Sequence, residues 1–153
     1  MPIQFKPIGV VHSPFKSPGE ITRERNIRPD GFEEIKGEIE LLPELVQGLE
    51  DIDGFSHLII IFNFHRATGA SLIAHPPFDS RERGVFSTRS PRRPNPLGVT
   101  VVRLIRREEN RLFIAGLDMI EGTPVLDIKP YTRRDRKENI RQGWLESFQE
   151  KCD

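Results

Sequence analysis

The apolar residues of this chain come in short runs, and glycine or proline stands in nearly every gap between them. With 12 Gly and 13 Pro in 153 residues, helices have little uninterrupted room, whereas short strands fit between the breaks. The pattern predicts strands at Phe5–His12, Phe32–Leu41, Phe55–Phe64, Gly84–Thr88, Gly98–Arg106, Arg111–Asp118 and Val125–Ile128. Phe32–Leu41 is the clearest alternation, with Ile35, Gly37, Ile39 and Leu41 on one face and Glu34, Lys36, Glu38 and Glu40 on the other. Phe55–Phe64 is the most apolar segment and reads as a central strand. Glu108-Glu109-Asn110 reads as a hairpin turn. Ser13–Pro29 and Ala67–Ser80 read as long loops, and Pro43–Leu49 as a short helix opened by a first-turn proline.

Many short strands with few helices point to an all-β fold, a closed barrel, with a two-sheet sandwich as the alternative. After Tyr131 the period changes. Ile140, Trp144, Leu145 and Phe148 recur at helical spacing among charges, which predicts an amphipathic C-terminal helix over Arg136–Glu150. The chain therefore divides into a barrel domain, residues 1–131, and a helical tail, residues 132–153, packed on the barrel or on a partner subunit. The longest apolar run, Leu58–Phe62, falls far short of a membrane span of about 20 residues. Met1–Lys6 lacks the apolar stretch of a signal peptide, so a cytoplasmic location is expected. The lone Cys152 has no internal disulfide partner. Net charge is zero but uneven: residues 81–141 hold 15 Lys/Arg against 8 Asp/Glu, a surface able to attract phosphate.

No G-x-G-x-x-G, P-loop, G-x-S-x-G or metal-ligand spacing is present, which argues against a Rossmann-type nucleotide site. Three segments stand out. In Gly84–Gly98, the run Thr-Arg-Ser-Pro-Arg-Arg-Pro-Asn-Pro presents Arg89, Arg92 and Arg93 on a proline-stiffened loop, and guanidinium groups bind carboxylate or phosphate through paired donors. The alternative is a rigid connection with surface arginines. Around the tight turn Glu121-Gly-Thr-Pro, the carboxylates of Asp118, Glu121 and Asp127 could accept from ribose hydroxyls or face a cation, or simply cap the turn. His65 and Arg66 follow the central strand and either line a pocket or satisfy a structural contact.

These residues carry a resemblance. Ile8-Gly-Val-Val-His-Ser-Pro-Phe-Lys16, Gly54-Phe-Ser-His-Leu58, Gly84-Val-Phe-Ser-Thr-Arg89, Arg93-Pro-Asn-Pro-Leu-Gly98 and Gly122-Thr-Pro-Val-Leu-Asp-Ile-Lys-Pro-Tyr131 are similar, in order, to the signatures of the TrmO (TsaA-like) family. The resemblance covers roughly residues 5–131.

It implies a small β-barrel methyltransferase fold, S-adenosylmethionine as cofactor, a homodimer with sites near the subunit interface, and N6-methylation of threonylcarbamoyladenosine at position 37 of tRNA; no metal is expected, since no ligand spacing is present. Matched by motif, the cofactor would contact His65, Arg66, Arg89, Val99 and the turn Asp118, Met119, Ile120 and Glu121. The family's Pro-Arg-Gln after the first strand falls on Thr22, Arg23 and Glu24, with only the arginine retained. Arg92, Arg93, Asn95 and Lys129 would face the substrate, and His65 and Tyr131 are the candidates for removing the proton from the acceptor nitrogen. A methyltransferase for another RNA or small molecule, and a non-enzymatic cofactor- or RNA-binding module, are the competing functions.

Overall fold

Alternation rather than total apolarity decides this architecture. In β2 (Lys36–Leu41) and β3 (His57–Asn63) every second residue turns inward, and Ile39, Leu41, Leu58, Ile60 and Phe62 are buried. The computed structural model describes residues 1–27, 31–76 and 79–147. Its remaining strands are β1 (Gly9–His12), β4 (Ile73–Ala74), β5 (Arg83–Gly84), β6 (Leu97–Glu108), β7 (Arg111–Ala115) and β8 (Pro124–Pro130). Six of them close into an antiparallel barrel in the order β1-β2-β7-β6-β3-β8, while β4 and β5 form a separate two-stranded sheet. The barrel, not the sandwich, is the fold.

β6 is long because it serves two neighbours. Leu97–Arg103 pairs with β3 and Arg103–Glu108 with β7, with a register shift between Leu104 and Arg106. Val11, Ile39, Leu58, Ile60, Val102, Leu112, Ile114 and Leu117 are fully inaccessible and fill the interior. Each such side chain contributes about 1.5–3 kcal/mol. Gly98 faces inward where only hydrogen fits: a Cβ there would lie 2.3 Å from the Phe62 ring. The narrowest pairing joins β1 to β8 at Gly9↔Val125 and Val10↔Pro124, flanked by the hydrogen bonds Ile8 N–H to Val125 O (2.8 Å) and Val11 N–H to Thr123 O (2.9 Å).

Several expectations change. The expected loop Ala67–Ser80 includes the two residues of β4, and the expected strand Phe32–Leu41 is extended only from Lys36. The first strand starts at Gly9, and Phe5 is 70% exposed. Within the expected loop Ser13–Pro29 a helix, α1 (Pro18–Ile27), forms. Its signal is Ser17-Pro18-Gly19-Glu20, with proline at the first helical position and glutamate where a capping box needs it. Gly84–Thr88 is not a strand; after the two residues of β5 the chain tightens into a 3-10 turn, Val85–Ser87. The expected helix from Arg136 does not form over Arg136–Gln142, where the chain is irregular between 3-10 turns at Arg133–Asp135 and Gly143–Leu145. Asn139 and Gly143 adopt left-handed φ of 57° and 56°, which interrupts a right-handed helix. Pro29, Phe148, Glu150 and Cys152 lie outside the described residues. Pro43–Leu49 is helical as expected, in 3-10 form, with Leu49 as its buried residue. Among the described residues no helix is long and apolar enough to cross a membrane.

Candidate functional site

Gly122, at φ 83°, lets the chain reverse before β8, and this reversal gathers the site. Its amide donates to Val11 O (2.9 Å), and the Glu121 amide donates to Phe15 O (2.7 Å). The buried Ser13 hydroxyl donates to Met119 O at 2.6 Å, binding the loop after β1 to the turn before β8. Arg66 Nη1 donates to Lys16 O (2.8 Å), and a Cβ on Gly122 would sit 4.0 Å from His65 Nε2. Three segments far apart in sequence, Ser13–Lys16, His65–Arg66 and Asp118–Gly122, thus meet at one end of β3. The His65 ring makes no hydrogen bond among the described residues.

The two carboxylates of the turn have different surroundings. Glu121 is occupied: His12 Nδ1 donates to its Oε1 at 2.9 Å and the Ser13 amide approaches its Oε2 at 3.3 Å. Burial pushes its pKa up, but the His12 hydrogen bond, the Ser13 amide and the charges of His12 and Lys16 together outweigh burial, and the net shift is downward. The other nitrogen of His12 reaches Glu40 Oε1 at 3.3 Å, and Glu40 also pairs with Arg111 (3.0 Å). The Glu121 hydrogen bond raises the His12 pKa, burial opposes it, and Glu40 adds to the rise. A cleft of about 500 Å³ opens beside this pair, lined also by Lys16, Lys36, Glu38 and Phe113.

Asp118 is the opposite case. Its Oδ1 is buried with no hydrogen-bond partner among the described residues. Burial raises its pKa, offset in part by a hydrogen bond with Thr100 and by the charges of Arg25 and Arg89. An acceptor held out of water without a donor is costly, and such groups mark places where a ligand supplies the missing partner. Beside it, the side chains of Met119 and Ile120 belong to the core, 2% and 7% exposed, so only their backbone faces a ligand. Their amides donate to nothing among the described residues. An orphaned carboxylate oxygen and two adjacent free N–H groups fit a ribosyl-adenine ligand, which offers hydroxyl donors and ring-nitrogen acceptors.

The arginine-rich loop is held by its own atoms. Arg93 Nη1 donates to the carbonyls of Thr88 (3.0 Å) and Ser90 (3.1 Å), and the Thr88 hydroxyl donates to Val85 O (2.8 Å). Arg93 is therefore a clasp, while Arg89 and Arg92 are the exposed cations, with Asn95 exposed beyond them. On α1, Thr22 bonds back to Pro18 O (3.2 Å), Arg23 is exposed and Glu24 is half-buried. The cation of that helix that acts on Asp118 is Arg25, one position past the expected triplet. Val99, 50% exposed, lies on the outward face of β6, opposite to Thr100. Tyr131 and Lys129 are not brought to this cluster. The Tyr131 amide donates to His57 O (3.1 Å), at the opposite end of β3 from His65, and Lys129 pairs with Asp127 (2.9 Å) alongside Ile59 and Ile61. His12, Ser13, Arg25 and Thr100 were not expected at the site. Their contacts are long-range, and the only sequence hint was His12-Ser13 inside the first signature.

Comparison with known proteins gives a consistent result. The profile of the tRNA-methyltransferase O N-terminal domain matches residues 10–135. A probable S-adenosyl-L-methionine-binding protein of Pyrococcus abyssi is 47% identical over 145 residues, 94% of this chain and 77% of its own length. The human tRNA (adenine(37)-N6)-methyltransferase is 44% identical over 96 residues, 60% of this chain and 22% of the human protein. The crystal structure of TrmO from Pseudomonas aeruginosa superposes with a TM-score of 0.74 at 38% identity, covering 94% of this chain and 62% of that one. The chain thus spans less than two thirds of that solved relative. The match across the barrel, its turns and its signatures places this chain in the tRNA-methyltransferase O family.

Proposed function

We propose that this protein is an S-adenosylmethionine-dependent methyltransferase that methylates N6 of threonylcarbamoyladenosine at position 37 of tRNA. The observation that carries the reading is the unpartnered Oδ1 of Asp118 beside the free amides of Met119 and Ile120. Asp118 would accept from the ribose hydroxyls, the two amides would meet the adenine edge, and Arg89 would take the carboxylate of the amino-acid moiety. When bound, the cofactor supplies an electrophilic methyl group on a sulfonium. The chain's own task is mostly alignment of acceptor and donor. The acceptor nitrogen is amide-like and must lose a proton, and the reading assigns its removal to His65, whose ring makes no hydrogen bond among the described residues.

The same reading includes a homodimer in the cytoplasm. Outward on β6, Leu97, Val99 and Val101 are 40%, 50% and 45% exposed, beside Ile61 and Ile59 on β3. A second copy covering this apolar face would also bring its own surface residues toward Val99. Calorimetric titration of S-adenosylmethionine into wild-type protein and Asp118→Asn tests the site. Transfer of labelled methyl to tRNA with and without the threonylcarbamoyl group tests the substrate. Saturable binding weakened in the variant, with label entering only modified tRNA, supports the reading. Binding that is equal in both proteins, or label entering unmodified tRNA equally, refutes it.

A further inference from the structure

The segment after β8 has a role that the cofactor site does not require. Between Thr132 and Gly143 it carries Arg133, Arg134, Arg136, Lys137 and Arg141, all exposed. None of the four arginines has an ionic partner among the described residues. Of the two acids interspersed, Asp135 is engaged locally, accepting from the Thr132 amide (2.8 Å) and hydroxyl (3.3 Å).

Both ends of this segment are fixed. It starts where the Tyr131 amide holds His57 O, at one end of β3. It ends where Trp144 Nε1 donates to Ser87 O at 2.9 Å. The Arg83 guanidinium stacks 4.8 Å from the centre of the Trp144 ring, and Arg83 is itself locked to Asp79 at 2.7 Å by side chains only 17% and 4% exposed. Ser87 leads directly into the self-clasped loop that presents Arg89 and Arg92 and enters β6 at Leu97, beside Asn63 at the other end of β3. The two ends of β3 are about 20 Å apart at the usual rise of a strand.

We infer that residues 132–144 form a rail for the sugar-phosphate backbone of tRNA, aligned with the site by the docking of Trp144 on Ser87 and Arg83. Unpaired arginines strung out between the two ends of the barrel suit a polyanion, whereas a small anion needs one convergent cluster. The irregular backbone, interrupted at Asn139 and Gly143, fans the side chains out instead of stacking them on one helix face. The inference rests on the tRNA reading above, and it assigns to this segment the contact with the body of the RNA.

The test uses the full chain and a variant with Arg133, Arg134, Arg136 and Arg141 all changed to alanine, with Trp144→Ala as the second variant. S-adenosylmethionine titration serves as the control for an intact barrel, and tRNA affinity is measured across a range of salt concentrations. Each phosphate contact contributes about 0.7–0.9 to the slope of log affinity against log salt. The fourfold variant is expected to keep its cofactor affinity, lose tRNA affinity more than tenfold at moderate salt, and lose about 3 units of slope. Trp144→Ala is expected to weaken tRNA binding with cofactor binding unchanged. If the fourfold variant keeps both the affinity and the slope of wild type, the rail is overturned and the tRNA reading stands. If wild-type protein binds cofactor but no tRNA at any salt, the tRNA reading falls and the rail with it.

Discussion

Replacing Asp118 by asparagine is expected to stabilise the protein while weakening its hold on S-adenosylmethionine. The carboxylate has one oxygen buried without a donor among the described residues, and burial raises its pKa against the opposing pull of Thr100. A neutral buried group left unsatisfied costs about 1–3 kcal/mol and a charged one more. Asparagine keeps the shape and removes the charge. Against this gain stands the lost attraction of Arg25 and Arg89, leaving a net stabilisation of about 1 kcal/mol. For a chain of this size that is about 2–4 °C in Tm. The sign of the pH dependence follows from burial, which raises the folded pKa of Asp118 above its ordinary 3.8. The penalty is fully present above the folded value and vanishes below the unfolded one, so the advantage of the variant fades as pH falls toward about 4. Loss of a charge-assisted hydrogen bond of about 1.5–3 kcal/mol weakens cofactor binding roughly 10- to 100-fold. Calorimetric melts from pH 8 down to pH 4, with and without S-adenosylmethionine, read both effects. A variant no more stable than wild type at pH 8, or an advantage unchanged at pH 4, would refute the reasoning.

Three other outcomes are expected. Gly98→Ala places a methyl within 2.3 Å of the Phe62 ring and costs about 1–3 kcal/mol, visible as a lower urea midpoint; an unchanged midpoint contradicts the packing. His12→Ala removes a cation whose folded pKa is raised and whose partner Glu121 has a lowered one, so its effect is largest near pH 6 and is lost as pH rises through the folded pKa of His12. Because the ring is 40% exposed, screening holds the effect to about 0.5–1 kcal/mol, and a destabilisation equal at pH 6 and pH 9 in thermal melts would contradict the pairing. His65→Ala is expected to lower kcat about 10²–10⁴-fold with little change in cofactor affinity, and single-turnover rates equal to wild type would remove His65 as the base.

The strands were legible wherever one face meets the core and the other meets water, as in Lys36–Leu41, because burial imposes the period directly. The sequence was less clear where local signals compete. The segment Val85-Phe86-Ser87 looks extended, yet Gly84 and the turn to Thr88 tighten it, leaving Phe86 74% exposed. The tail has helical spacing at Ile140 and Trp144, but Ile140 is 62% exposed, so no buried face rewards a helix there. At the site, the motif turn Asp118–Glu121 was legible, but the division of labour within it was not. That Glu121 is committed to His12 while Asp118 is left wanting depends on contacts spanning more than a hundred residues. The same holds for Tyr131, adjacent in motif to the turn but carried by β8 to the far end of the barrel.

The narrow pairing of β1 with β8 has a consequence for how the chain folds. It joins the first strand to the last, the costliest loop to close, and is expected to form after the hairpin of β6 and β7 and the pairing of β3 with β6 have gathered the interior. The Ser13–Lys16 loop and the Asp118–Gly122 turn come together only across that pairing. A partly assembled chain therefore has walls but no binding cradle, and only the finished barrel recognises its ligand. A ligand held in the cradle in turn acts as a latch, slowing the opening of the very strands whose amides would otherwise be the first to exchange with solvent.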